Sequence, residues 1–214
     1  MRKAILIVLL AIAWAGTASA GTLLTLTNPA VLPNIWQQTL NNPCVIGDPS
    51  CHNPAGFDWT SQSGPAVGGI YDLTSPTYSV LQLQTLLGSS AFKIGIDVNW
   101  GTGQNPEILQ YFGMDTRSGP GVTWLNQYYY NGPTTFAVQN NGNGYSDALL
   151  SGFSLSAFPT TTQVRFQARW SNDTDGMEEF FLISSTAPPV PDAGSSILLL
   201  GMGLIGLRAW KRLG

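Results

Sequence analysis

The sequence predicts an all-β protein, an antiparallel β-sandwich of jelly-roll type with one or two short helices. Two observations carry this expectation. Short β-prone runs are broken throughout by Gly, Pro and Asn, with 24 Gly and 14 Pro in 214 residues, and closely spaced strand and turn signals are the mark of sandwiches and rolls. Two runs also alternate apolar and polar residues with the period of a strand rather than a helix.

In chain order, residues 23–27 and 35–40 read as the first strands, followed by a loop that holds both cysteines, Cys44 and Cys51. Residues 57–60 and 70–73 come next. Residues 80–87 are the better helix candidate. The clearest strand is 91–100, where Phe92, Ile94, Ile96 and Val98 oppose Lys93, Gly95, Asp97 and Asn99. Residues 107–115 and 122–130 read as its neighbours. Asn131-Gly132-Pro133 is a turn signal leading into a strand at 134–139. Residues 154–158 are the second helix candidate. In 163–171, Val164, Phe166, Ala168 and Trp170 alternate with Arg165, Gln167 and Arg169, and 179–184 closes the body.

The charge is unevenly spread. Of nine Lys and Arg, five lie in the first three or last seven positions. Between Gly21 and Pro189, four basic residues stand against eleven acidic ones, a net charge of −7. Such a body repels nucleic acid and anionic lipid, so a nucleic-acid partner is excluded.

The basic ends flank apolar segments. Arg2 and Lys3 precede an apolar run over 4–15, then Ala18-Ser19-Ala20. A charged start, a short apolar stretch and small residues at Ala18 and Ala20 form a signal peptide cut by signal peptidase after Ala20. At the other end a Pro-rich spacer runs into Val190-Pro191-Asp192-Ala193-Gly194, then an uncharged stretch to Leu207 and a tip containing Arg208, Lys211 and Arg212. Residues 193–207 would form about 22 Å of helix against a hydrocarbon core of about 30 Å. This is a marginal transmembrane helix, with its basic tip on the cytoplasmic side. The expected organisation is a signal peptide and its helix at 1–20, a β-sandwich domain at 21–185, and linker, sorting motif, hydrophobic helix and basic tip at 186–214.

The motif Val190-Pro191-Asp192-Ala193-Gly194 with this tail resembles the VPDSG-CTERM class of exosortase signals, relatives of the PEP-CTERM signals on exported proteins of exopolysaccharide-producing Gram-negative bacteria. Ala193 stands where that class usually has Ser. The resemblance implies passage through the inner membrane, removal of the tail by a membrane-embedded exosortase-type protease, and delivery to the cell surface or extracellular matrix. The blocks at 92–99, 141–147 and 175–181 also resemble segments of exported proteins with such tails, which implies a shared extracellular β-domain and no particular activity.

Several residue groups are candidates for chemistry. Two cysteines in an exported chain predict a Cys44–Cys51 disulfide; the rival reading takes Cys44, Cys51 and His52 as metal ligands. His52 is the sole histidine, and its loop setting favours a solvated residue over a catalytic base. Glu178 and Glu179 are adjacent, so a strand would point them to opposite faces, and nothing in the sequence places Glu107 beside either. No catalytic residue is assigned and no enzyme is expected. Oxygen-rich turns at Asp97 and Asn99, and at Asp173 and Asp175, would suit calcium, which takes about six to eight oxygens; Asn and Asp are also ordinary turn residues. No other cofactor is expected. Tyr128, Tyr129, Tyr130 and Trp124 are the candidate glycan contacts, because alternation turns part of the tyrosine run to solvent. The expected role is structural or adhesive, at the cell surface or in the exopolysaccharide matrix. A carbohydrate-binding module is the alternative, and a glycan hydrolase a third reading.

Overall fold

The computed structural model describes residues 21–31, 34–61, 69–99, 106–136, 144–172 and 178–188. The expected signal peptide, the expected C-terminal hydrophobic helix, the sorting motif, and Asp173 and Asp175 lie outside these residues. Among the described residues no helix is long and apolar enough to cross a membrane.

The elements are β1 (Thr22–Leu23), β2 (Thr25–Thr27), β3 (Cys44–Gly47), β4 (Thr60–Ser61), β5 (Ile70–Thr74), β6 (Tyr78–Ser79), α1 (Val80–Leu87), β7 (Ala91–Asp97), β8 (Ile108–Arg117), β9 (Leu125–Thr135), β10 (Ala148–Ser154), β11 (Gln163–Ser171) and β12 (Glu179–Ser184). They form two sheets. Sheet I runs β1-β9-β8-β11-β5, with β6 also paired to β11, and sheet II runs β2-β10-β7-β12-β3-β4. The long central pairs are antiparallel, as expected. At the margins β1 pairs with β9 and β3 with β4 in parallel, so both sheets are mixed.

Where apolar alternation is strong, sequence and structure agree. β11 buries Val164, Phe166, Ala168 and Trp170 and turns Arg165, Gln167 and Arg169 outward. α1 begins where Ser79 Oγ accepts the amide of Gln82 at 3.0 Å, an N-cap that satisfies one of the free amides of the first turn. It buries Val80, Leu83 and Leu87.

Five elements differ from expectation. The chain at 35–40 forms isolated bridges, Gln37 with Tyr145 and Thr39 with Asn42, instead of a strand. The predicted cysteine loop begins as strand β3, and β10 occupies a stretch with no predicted strand. Residues 154–158 turn rather than form a helix, with the Phe158 amide donating to Leu155 O. Finally, Asn131-Gly132-Pro133 does not reverse the chain, and β9 runs through it. Proline is tolerated because β1 pairs only with Tyr128 and Tyr129, leaving the far side of Pro133 without a ladder to complete. Gly132 is required there, since a Cβ would lie 2.2 Å from the carbonyl oxygen of Leu109.

The sheets are joined by aromatic rings. Phe112 of sheet I stacks on Phe180 of sheet II at 5.3 Å, and Trp170 meets the same Phe180 edge-on at 5.9 Å. Phe92 meets Phe166 at 6.1 Å, and Phe112 meets Phe153 at 6.2 Å. The Trp170 indole N–H is satisfied by the buried Glu107 carboxylate at 3.0 Å, as a buried indole requires.

Phe180→Ala removes the ring common to Phe112 and Trp170. It is expected to cost about 3–5 kcal/mol, read as a fall in the denaturant midpoint with the slope of the transition unchanged.

Candidate functional site

The outer side of sheet II is covered. Described residues of the chain between β2 and β3, with the loop that follows β3, cover it as a strap, and Trp36, Ala30, Cys44 and Cys51 pack on Leu149, Phe181 and Ile183. Cys44 and Cys51 form a disulfide, with the sulfurs 1.98 Å apart. This removes the thiolates that the metal reading of Cys44, Cys51 and His52 would need. Asn53 locks the same loop, its side chain accepting from Cys44 N at 2.8 Å and donating to Cys44 O at 2.9 Å. Trp36 holds the strap down: its amide donates to Ser146 Oγ at 2.9 Å, and Lys93 Nζ lies 4.6 Å from its ring centre. His52 is exposed, and its backbone carbonyl accepts from Gln38 Nε2 at 2.9 Å.

Under one end of the strap the fold buries acid. Asp97 ends β7 and Glu179 begins β12, and the two are directly paired in register, so both face the strap. Asp147 closes over the end of β7, its carboxylate accepting from Val98 N at 2.9 Å. Asp97 accepts from Gly144 N, and Glu179 accepts from Ser50 Oγ at 3.1 Å. Asp97 is 2% exposed and Glu179 1%. Burial pushes the Asp97 carboxyl up to about 8; the Gly144 amide opposes this, while the neighbouring Asp147 and Glu179 charges add to it. Burial likewise raises Glu179 to about 7, with Asp48 adding to the effect.

Of the calcium candidates, Asp97 belongs to this cluster. The backbone N–H of Asn99 donates to Glu178 Oε2 at 2.6 Å. Among the described residues, three acidic oxygens do not converge here; the one set of three potential ligands within 4.8 Å is Cys44, Cys51 and Glu179, and its sulfurs are joined to each other. Glu107 is spent on Trp170, in the core between the sheets.

The candidate glycan contacts divide between the two sides of β9. Tyr128 and Tyr130 pack against the core, Tyr128 donating to Ser154 O at 3.0 Å and Tyr130 sharing a hydroxyl hydrogen bond with Thr134. Tyr129 alternates to the outer side of sheet I. Trp124 lies at one end of that outer side, with the guanidinium carbons of Arg117 and Arg165 at 4.3 and 4.4 Å from its ring centre. Arg165 continues to Asp115 at 2.9 Å. Asn126 then bridges Asp115 and the hydroxyl of Tyr111 at 3.0 and 2.8 Å. Sequence reasoning missed Tyr111, although its position in a predicted strand was available.

A family model for the VPDSG-CTERM motif matches residues 189–213. No curated protein and no solved structure matches the chain.

The raised acids fix the sign of a pH dependence. An unfolded chain releases carboxyl protons near pH 4, whereas the folded protein keeps them to about 7 at Glu179 and about 8 at Asp97. In that window the folded state binds more protons, so this contribution is complete below about pH 4 and is lost as pH rises toward 8. The full chain in detergent should therefore melt at a lower temperature at pH 8 than at pH 5. Asp97→Asn, which still accepts the Gly144 amide but cannot ionise, should flatten the fall. An unchanged slope in that variant would refute the assignment.

Proposed function

We propose that the chain is an exported protein that works at the cell surface or in the exopolysaccharide matrix, in a structural or adhesive role, after an exosortase-type protease removes its tail. The carrying observation is where the sorting motif stands relative to the fold. The last strand ends at Ser184, and the matched segment begins at residue 189. Cleavage at 190–194 would therefore leave both sheets whole. The chain before the cut is already fixed, since Ala187 packs on the strap side and its carbonyl accepts from Trp36 Nε1 at 3.4 Å.

The chemistry of the body agrees with life outside the cell. A disulfide is retained where thiols are not kept reduced. The sandwich would thus act as a cargo whose delivery is encoded in its two ends.

Intact-mass measurement of the protein recovered from the cells that make it tests this reading. The mass should begin at Gly21 and end between Val190 and Gly194. A chain carrying Pro191→Ala with Asp192→Ala should keep residues 197–214 and sediment with the inner membrane. A wild-type mass that still includes residues 197–214 would overturn the sorting step.

A further inference from the structure

Among the described residues the sandwich has one covered side and one open side. No strap crosses the outer side of sheet I among the described residues, yet that side is more than a solvated surface. Gln110 is an extra residue in β8: its neighbours Leu109 and Tyr111 pair with consecutive residues Trp170 and Arg169 of β11. Such a bulge breaks the alternation of the strand, and both Gln110 and Tyr111 line a groove of about 510 Å³ on the outer side. Gln167 and Arg169, Asp72 and the exposed Ile70, and Asn131 are among the other lining residues, from three further strands.

The floor of this groove is an aromatic ring. Tyr111 lies down along its own strand over Gly113, where a Cβ would sit 2.2 Å from the phenolic oxygen and 2.7 Å from Cζ. Only glycine leaves room for the ring in that position. Asn126 donates to the phenolic oxygen at 2.8 Å, which holds the ring in place and leaves its own O–H as a donor.

The two charges that line the groove are matched to one another. Arg169 pairs with Asp72 at 3.5 Å, so the groove offers no unbalanced charge to a polyanion or polycation; Arg117, at the Trp124 end of the face, donates to Gln163 at 2.6 Å and lies over the Trp124 ring. What the groove does offer is the amides of Gln167 and Asn131, which make no side-chain hydrogen bond within the described residues, beside a half-buried ring. An amide supplies a donor and an acceptor side by side, which suits adjacent hydroxyls. An aromatic face suits the apolar C–H side of a sugar ring. A groove of amides and one matched ion pair around a tyrosine ring is therefore complementary to a hydroxyl-rich neutral chain.

We propose that the outer groove of sheet I, floored by Tyr111 over Gly113 and flanked by Gln110, Gln167 and Asn131, binds a neutral polysaccharide. The assignment rests on the surface role proposed above and names what a protein in that place would hold.

The test is affinity electrophoresis of the full chain in detergent, through native gels cast with hydroxyethylcellulose, galactomannan or soluble starch, with alginate, or with no polymer. At least one neutral gel should retard the protein and alginate should not. Tyr111→Ala should weaken retardation about tenfold in apparent dissociation constant, equivalent to about 1.4 kcal/mol. Gly113→Ala, which evicts the ring without deleting it, should do the same, while Tyr111→Phe keeps most of the binding. Gln167→Ala, at a side chain with no partner to lose, should weaken binding with the melting temperature unchanged, and it serves if either Tyr111→Ala or Gly113→Ala fails to fold. Retardation in no neutral gel, retardation by alginate alone, or equal retardation of wild type and Gln167→Ala overturns the proposal. Native processing measured by mass is independent of all of these, so a correctly cut protein that ignores every neutral gel refutes the groove and leaves the surface role standing.

Discussion

The rings that interlock between the two sheets are the constraint on which the rest depends. With only 10% charged residues, the chain has few ion pairs to spend, and each buried aromatic contributes a large apolar area. Phe180 stands between Phe112 and Trp170, and so ties β12 of one sheet to β8 and β11 of the other. Those strands in turn set the registers at which Asp97 meets Glu179 on one outer side and Arg165 meets Asp115 on the other. Glu107 belongs to the same unit, because without its carboxylate the Trp170 N–H would be left buried and unpaid by water.

The fold was legible where one side of a strand is apolar and the other polar. β11 and β7 show that contrast, and α1 carries both a capping serine and apolar spacing. β3 lacks it because all four of its residues are buried, which erases alternation and leaves the nearby Pro and Gly to suggest a loop. β10 reads Ala-Leu-Leu-Ser-Gly-Phe-Ser, a run with a bulge between Ser151 and Phe153, so its period is broken in the sequence as in the structure. At Asn131-Gly132-Pro133 local turn chemistry was outweighed by the pairing of β9 with β8 on one side and a nearly free edge on the other.

The sites were less legible, because each depends on register. Alternation along β7 puts Asp97 opposite Ile96, but only the pairing with β12 brings Glu179 beside it and raises both carboxyls. The tyrosine run shows the same limit. Alternation requires Tyr128 and Tyr130 to share a side and Tyr129 to take the other, yet which side is the core depends on the packing of β9. Tyr111 is harder still, since its orientation follows from one extra residue at Gln110 and the missing side chain of Gly113.

The two outer faces differ in what covers them among the described residues, and the described C-terminal end lies on one of them. Ala187 is held on the strap side, packed on the cluster that contains Trp36 and the disulfide, so the last described residues lie on the sealed face. The open groove of sheet I lies across the whole thickness of the core from that end. Release of the tail would leave the groove unchanged, because no groove residue belongs to the strap or to the segment that follows β12. The burial of acid and cystine thus belongs to one outer side of the fold, and the ion pairs and the amides of Gln167 and Asn131 to the other.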